Sequence, residues 1–483
     1  MPFSDPLPQT YDLIVVGTGF AGSFFLERYL RRAADDARVL VLERGALTPH
    51  ADRVAARAND YFATSLPHIR LTGNPAKLWM FNLAFGGGSN CWWGNAPRFL
   101  PADFEMRSRF GVGDDWPIGY DDLEPYYDEA EAMLSLSGPP GAAPYRRRTE
   151  YAQPPHRLTA PETLLKQAYP DKFFNMPTAR SRVSVPGRGV CCANGICHLC
   201  PVDAKFTIQN GLMRVYDDPR VTTALEAEVL AVEHDGRQAS GVRFTRKGRE
   251  ETAAADLVVL AANAIFNPVI LERSSLTHPL LGRRLHEQVG IEAEAFLDGV
   301  EGFGGSTSVT GIGYMMYDDE VRRRDRAAIL LETWNVGSIR TEFGKWRQVL
   351  PMRLVFDVLP DAANYVRFDP NAPSKPEVHY TNHTDYTQRA IDQAQADLER
   401  VLAPLPIESV RIDDDLIATE AHIIGTTVMG NDPTSSIVDR DCVHHRLRNL
   451  VVLGSSTFPV GGPANPSLTI AAQAMRSADR VLA

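Results

Sequence analysis

The run YDLIVV at residues 11–16 leads directly into Gly17, Gly19 and Gly22, and this junction constrains the fold more than any other stretch. The run is apolar and β-branched, with the length of one strand buried on both faces of a parallel sheet. The G-x-G-x-x-G spacing gives each glycine a task. The first permits a tight turn, the second lets backbone N–H groups approach a pyrophosphate, and the third lets the next helix pack closely. That helix is predicted over 21–34, with its positive end toward the phosphates. A second strand over 39–42 ends in Glu43, placed about twenty residues past the glycines to hydrogen-bond a ribose hydroxyl. Strand, glycines, helix, strand and acid in this order specify a site for an ADP moiety, with FAD and NAD both open.

A chain of 483 residues exceeds what one hydrophobic core supports, so two or more domains are expected. The formal charge of −10 argues against nucleic acid or an anionic membrane as the main partner. Residues 1–10 show neither a basic start nor an apolar core, and Arg31 and Arg32 fall inside the predicted helix, so no export signal is read. The longest apolar-rich stretch, 257–271, is interrupted by Asn263, Asn267 and Pro268 and is too short to span a bilayer. A cytoplasmic protein without a membrane segment is expected, unless a partner carries it to the periplasm.

Further along, 48–77 is polar and irregular, and FGGGSNCWWGNAPRF (85–99) offers a glycine-rich backbone able to lie flat against a ligand. WPIGYDDLEPYYDEAEAML (116–134) reads as a turn followed by an amphipathic helix. Four of the six cysteines crowd into VCCANGICHLCPVDAK as Cys191, Cys192, Cys197 and Cys200. Such density points to a local site, for which an iron–sulfur cluster, zinc and disulfides are all open. Strand patterns over 224–262 suggest a β-meander that feeds back into the parallel sheet. From 299 to 410 the pattern suggests an antiparallel sheet, and 386–402 a helix returning the chain to the first domain. Near the end, AHIIGTTVMG contains His422, and Asn465 precedes a helix opened by Pro466. With twelve histidines in the chain, His422 by itself reads as a packed or surface residue.

Taken together, the ADP unit, GGGSNCWWGNAPRF, WPIGYDDLEPYY and the C-terminal stretches resemble the glucose–methanol–choline (GMC) family of flavin oxidoreductases, in particular its pyranose oxidase and bacterial FAD-dependent sugar dehydrogenase branch. The resemblance implies an α/β fold: a Rossmann-like FAD-binding domain (1–100, 186–298 and 411–483) and a mostly antiparallel β-sheet substrate domain with helices (101–185 and 299–410). FAD would be held by Gly17, Gly19, Gly22, Glu43, Arg44, Gly87, Ser89, Asn90, Cys91, Val229, Gly454, Pro466 and Ser467. A histidine that carries a covalent flavin in pyranose oxidase is replaced here by Cys91, so non-covalent FAD is expected. Gly454, where many family members have an acid, agrees with the sugar-oxidising branch. The resemblance also implies a 3Fe–4S or 4Fe–4S cluster on Cys191, Cys192, Cys197 and Cys200, with His198 a bystander. A small partner subunit and a cytochrome or quinone acceptor follow from it as well.

Oxidation of an alcohol needs a base for the hydroxyl proton while the flavin takes the hydride. The resemblance assigns that base to His422 and a hydrogen-bonding role to Asn465, with a sugar or glycoside hydroxyl oxidised to a ketone or lactone. Two alternatives are a hydrogen-peroxide-forming oxidase and a non-oxidising flavin lyase or photoenzyme. The pair His422 and Asn465 speaks against the second.

Overall fold

A computed structural model describes residues 7–57, 65–141 and 144–482. The reading of residues 1–6 as free of an export signal, and part of the irregular stretch 48–77, fall outside them. The strand predicted at 11–16 is β1 (Thr10–Val16), and it pairs in parallel with β2 (Val39–Leu42) on one side. On its other side runs the second half of β8 (Arg249–Leu260). Flanked by strands and buried without interruption from Leu13 to Val16, β1 is apolar over that half rather than alternating. β5 (Val221–Ala224) extends the sheet beyond β2.

The predicted meander is β6 (Ala227–His234), β7 (Ala239–Arg246) and β8, paired antiparallel in sequence. β8 is twelve residues long, and its first half pairs with β7 while its second half joins β1 and β16 (Leu450–Val452) in parallel. The seven strands form a mixed α/β sheet of Rossmann-like type, in the order β5-β2-β1-β8-β7-β6 with β16 beside β8.

The first helix, α1 (Phe20–Leu30), is shorter than predicted and has ten of its eleven residues buried, Ser23 and Glu27 among them. Burial is so complete because α2 (Tyr120–Leu134) and α6 (Ser467–Val481) pack with it as a layer. Arg28 joins the three, its Nε donating to Asp479 Oδ1 at 2.8 Å and its Nη1 to Glu129 Oε2 at 2.8 Å. α2 therefore builds the FAD-type domain, although 101–185 was assigned to the other one from sequence. α3 (Asn263–Arg273) follows β8 and is almost wholly buried.

The second sheet is antiparallel throughout, in the order β15-β9-β12-β11-β10-β4. Its strands are β4 (Phe173–Asn175), β9 (Val289–Leu297), β10 (Val309–Gly313), β11 (Ile329–Trp334), β12 (Val349–Phe356) and β15 (Ile407–Ile412). β9 thus belongs to this sheet and not to the FAD-binding part, where 186–298 had placed it. The helix expected over 386–402 is two, α4 (Asp385–Asp392) and α5 (Ala394–Leu402), interrupted at Gln393. They do not return the chain to the first domain: Tyr386, Ala390, Leu398 and Val401 pack on this second sheet with Ile329, Leu331 and Leu354. The period-2 alternation of strands turns Leu330, Glu332 and Trp334 to its other face. A small third sheet joins β13 (Tyr365–Arg367) and β14 (Glu377–Tyr380) to β3 (Arg70–Gly73), which the sequence pattern left as irregular. Among the described residues no helix is long and apolar enough to cross a membrane.

Two of the three glycines are packing devices. A Cβ on Gly22 would lie 2.1 Å from Gly17 O, and one on Gly17, whose φ is +98°, would lie 2.5 Å from Ala261 O. Both clashes are with backbone, so no side-chain rotation relieves them. Gly22→Ala is expected to cost about 1–3 kcal/mol as α1 is pushed off β1. A lower urea midpoint at unchanged m-value would show it, and an unchanged midpoint would mean that α1 does not need this approach.

Candidate active site

A cavity of about 560 Å³ lies between the two large sheets. On the parallel side it is lined by Gly17, Thr18, Gly19, Glu43, Arg44 and Val229, and on the antiparallel side by Val309, Glu332, Trp334 and Arg353. Loops close it with Cys91 to Asn95, with Glu420 and His422, and with Gly454, Asn465, Pro466 and Ser467. The opening turn of α1 faces this space, capped by no side chain and carrying no acid, so its unpaired N–H groups present positive potential. A Cβ on Gly19 would meet no atom within 4 Å, in contrast to its two neighbours in the motif, and the same holds for Gly88. The backbone at these two positions is bare on the side where a ligand would lie.

Glu43 is 6% exposed and ties the end of β2 to the glycine turn. Its Oε2 accepts from Thr18 N at 3.0 Å and Thr18 Oγ1 at 2.7 Å, and its Oε1 accepts from Gly45 N at 2.8 Å. A carboxylate has about four lone-pair positions, so room for one more donor remains. Burial raises its pKa, against the opposing pull of those hydrogen bonds. Arg44 lies beside it with its guanidinium 4.9 Å from the Phe266 ring centroid. Thr18 Oγ1 also accepts from Gly86 N at 2.9 Å, which joins the glycine-rich loop to the first turn. Gly87 and Cys91 in that loop border the cavity.

Ser89 and Asn90 do not border it. Ser89 Oγ donates to Gly86 O at 2.6 Å and accepts from Ile208 N at 3.1 Å, and Asn90 Nδ2 donates to Asn82 Oδ1 and Phe85 O, both at 2.9 Å. These side chains shape the loop from behind. Gly22 likewise acts by packing, and Pro466 is the residue before α6 rather than its first, with Ser467 opening the helix.

His422 and Asn465 come from segments some forty residues apart and reach the same cavity. His422 Nδ1 and Asn465 Oδ1 are both shielded and have no hydrogen-bond partner. Enclosure, reinforced by the cations of Arg353 and Lys77, depresses the His422 pKa to about 3, so the imidazole is neutral over the ordinary pH range.

Two residues that sequence patterns did not single out hold these segments. Glu287 is 2% exposed and accepts from His422 N at 3.0 Å, Glu420 N at 3.3 Å and Thr419 Oγ1 at 3.2 Å, and it is paired with the Lys77 ammonium. Its neighbour Gln288 donates through Nε2 to Gly462 O at 2.7 Å and Ala464 O at 3.1 Å, immediately before Asn465. The entrance of β9 thus grips both segments at once. The only trace in the sequence is a charged and an amide residue preceding an alternating strand.

The cysteine loop does not gather as expected. Cys192 is exposed and Cys191 half-buried, whereas Cys197 and Cys200 are buried, and none is in a disulfide. Cys197 Sγ lies 3.0 Å from Ser308 Oγ, and Cys200 Sγ accepts from Ala204 N at 3.2 Å. Among the described residues no three of His, Cys, Asp and Glu are grouped so as to hold a metal ion. The residues present do not fit the cluster or the zinc site as they stand: Cys191 and Cys197 lie beside the adjacent Thr307 and Ser308, while Cys192 is exposed and Cys200 is engaged by Ala204 N. His198 stands 5.9 Å from the Trp93 ring, centroid to centroid.

Two profiles described as GMC oxidoreductase match the chain, one over residues 11–290 and one over 360–474. Among curated proteins it is 26% identical to fructose dehydrogenase large subunit of Gluconobacter japonicus, over 98% of this chain and 97% of that protein. It is also 26% identical to paromamine 6'-oxidase of Streptomyces fradiae, over 98% and 91% respectively. Among solved structures, pyridoxine 4-oxidase from Mesorbium loti superposes with a TM-score of 0.69 at 17% identity, covering 97% of this chain and 99% of that one. Formate oxidase gives 0.68 at 14% identity with 98% of both chains covered, and these two likenesses are of fold.

Glu287→Ala would take the carboxylate from Lys77, whose amine pKa burial already lowers to about 7, and from two buried loop N–H groups. A loss of about 3–5 kcal/mol in urea denaturation is expected, with Glu287→Gln recovering part of it. A change within about 0.5 kcal/mol would mean that the carboxylate does not hold the loop.

Proposed function

This chain belongs to the GMC oxidoreductase family, an FAD-dependent oxidoreductase acting on CH–OH groups, and from that premise we propose that it oxidises a sugar or glycoside hydroxyl, with His422 as the base and Asn465 as the group that orients the reacting alcohol. One observation carries the reading: two buried polar atoms from separate segments, His422 Nδ1 and Asn465 Oδ1, lack protein partners in the same cavity. A substrate hydroxyl would donate its one proton to the imidazole nitrogen, and the Asn465 amide, turned so that Nδ2 faces the hydroxyl, would donate to its oxygen.

The donor set suits FAD. The opening N–H groups of α1, with the bare backbone at Gly19, would hold the pyrophosphate, and Glu43 would accept from a ribose hydroxyl. The backbone near Val229 would border the adenine, and Gly87, Gly454 and Ser467 lie where the rest of the cofactor would pass. FAD, when bound, supplies the acceptor for the hydride. The chain must then supply the proton acceptor, and a neutral imidazole is one. The N-terminal end of α6, whose first turn holds no acid, adds positive potential beside the cavity. Cys91 Sγ donates to Gly88 O at 3.4 Å and borders the cofactor without a covalent link to it. Among the described residues the cysteine loop groups no three side chains able to hold a metal ion, and no step is assigned to it.

The sugar assignment is supported by relatives named for fructose and paromamine and by Gly454, which lines the cavity in place of an acid. Relatives named as oxidases and as dehydrogenases both occur, and oxygen consumption with and without an added dye separates a peroxide-forming enzyme from one that needs another acceptor.

Anaerobic bleaching of the flavin by a panel of sugars and glycosides tests the reading. His422→Ala should lower the bleaching rate constant by about 10²–10⁴ while FAD content is kept and acid precipitation leaves a colourless pellet. A rate near that of the unaltered protein would remove His422 from the reaction. Because burial lowers the His422 pKa to about 3, falling pH does not protonate it near 6.5. The limiting bleaching rate constant should therefore stay level between about pH 8 and 5; a drop centred near 6.5 would contradict a buried neutral base.

A further inference from the structure

Glu332 is an acid in the strand ILLETW, on the face that β11 turns to the cavity. It is 4% exposed, and among the described residues its carboxylate makes one hydrogen bond, from Asn95 Nδ2 at 3.1 Å, and no ion pair. Its partner across the ladder, Arg353 of β12, is directed elsewhere: to Glu292 Oε1 at 2.8 Å and Glu420 Oε2 at 3.3 Å, with its guanidinium 4.6 Å from the Trp334 ring centroid. Around Glu332 the same wall carries three further polar atoms that are shielded and unpartnered: Asn95 Oδ1, Trp334 Nε1 and Arg353 Nε. Each unmet group of this kind is costly in a folded protein. Three such groups, one acceptor and two donors, beside a carboxylate that still has acceptor positions to spare, on residues that share one cavity wall, indicate a ligand that supplies both kinds of bond.

Resting on the reading of this cavity as a site of hydroxyl oxidation, we propose that Glu332, with Asn95, Trp334 and Arg353, is the subsite that recognises the non-reacting hydroxyl groups of a polyhydroxylated ring. Glu332 and Asn95 Oδ1 accept from neighbouring hydroxyl protons, and Trp334 Nε1 and Arg353 Nε donate to hydroxyl or ring oxygens. A simple secondary alcohol can react at His422 but leaves this wall unmet, so the subsite selects for rings bearing several hydroxyl groups. The selection is strong because it works by unpaired buried polar groups rather than by size.

The ionisation of Glu332 supplies an independent signature. Burial pushes its carboxyl up to about 7, raised further by Glu420 on the loop ahead of His422 and opposed by Arg353 on β12 and Arg180 after β4. His422, in the same cavity, stays neutral. Below pH 7 the carboxyl is protonated and one oxygen ceases to accept; above it both oxygens accept. Binding of a polyol should therefore tighten as pH rises through about 7.

The test is anaerobic stopped-flow bleaching of the FAD-loaded protein by a methyl glycoside series, its monodeoxy analogues and 2-butanol. Glu332→Gln should raise the half-saturating glycoside concentration by about 10- to 100-fold, with a much smaller fall in the limiting rate constant. The unaltered protein should bind the glycoside more tightly at pH 8 than at pH 6, and the Gln variant should not. Glu332→Asp, which keeps the charge, should recover part of the loss and serves in place of Gln if that variant fails to retain flavin. Bleaching by glycosides with the same half-saturation in the unaltered protein and both variants would overturn the subsite alone. Failure of every glycoside to bleach the unaltered protein would overturn the proposed function and the subsite with it.

Discussion

The close approach of α1 to β1 is the contact on which the remainder of the molecule depends. With 2.1 Å between a hypothetical Gly22 Cβ and Gly17 O, only hydrogen at Gly22 lets the helix begin where it does. That position points the first turn of α1 into the cavity, brings Thr18 within reach of Glu43, and lets Thr18 also hold Gly86 of the glycine-rich loop. One backbone contact thus fixes the helix end, the acid of β2 and the loop between them. Gly19 is open on its outer side, whereas a Cβ at Gly17 or Gly22 would meet backbone.

The antiparallel sheet complements this with a division between its two faces. One face carries Ile329, Leu331 and Leu354 into the core under α4 and α5, and the other carries Glu332, Trp334 and Arg353 to the cavity. A single sheet can thus anchor one domain's core and present polar groups to the other domain, because neighbouring side chains on a strand point to opposite faces. At its edge with the parallel domain, Glu287 and Gln288 hold the segments of His422 and Asn465 through backbone groups. A rigid strand entrance that grips both is a better support for two distant segments than either loop could give the other.

Much of the architecture was legible because it rests on local rules. The apolar run, the glycine spacing and the acid at 43 predict β1, α1 and β2 in their observed order, and alternation with polar turns predicts β6, β7 and β8. What misled is instructive. α2 reads from sequence as any amphipathic helix, and its contacts in the fold, among them the Arg28 pairs and Tyr127 with Thr469, show which domain it covers. β9 lies beside FAD-domain sequence yet pairs with β12 and β15, since strand pairing is set by distant partners. The spacing of Cys191, Cys192, Cys197 and Cys200 suggests one shared centre, but in the fold Cys192 is exposed and Cys200 is held by Ala204 N, apart from Cys191 and Cys197 beside Thr307 and Ser308. Ser89 and Asn90 are polar residues in a ligand-facing loop whose side chains are used by the loop itself.

By itself the sequence determined the ADP-type cradle, the presence of two sheets of different kind and the two C-terminal segments that carry His422 and Asn465. It could do so because glycine spacing, strand periodicity and helix-opening residues act over a few positions along the chain. The tertiary structure alone decided that His422 is neutral, that Glu287 and Gln288 hold the site together, and that Glu332 stands nearly unpartnered in the same cavity. Those properties arise from burial and from contacts between residues as far apart as 95 and 332, and no local pattern encodes the dielectric surroundings or the partners of a side chain.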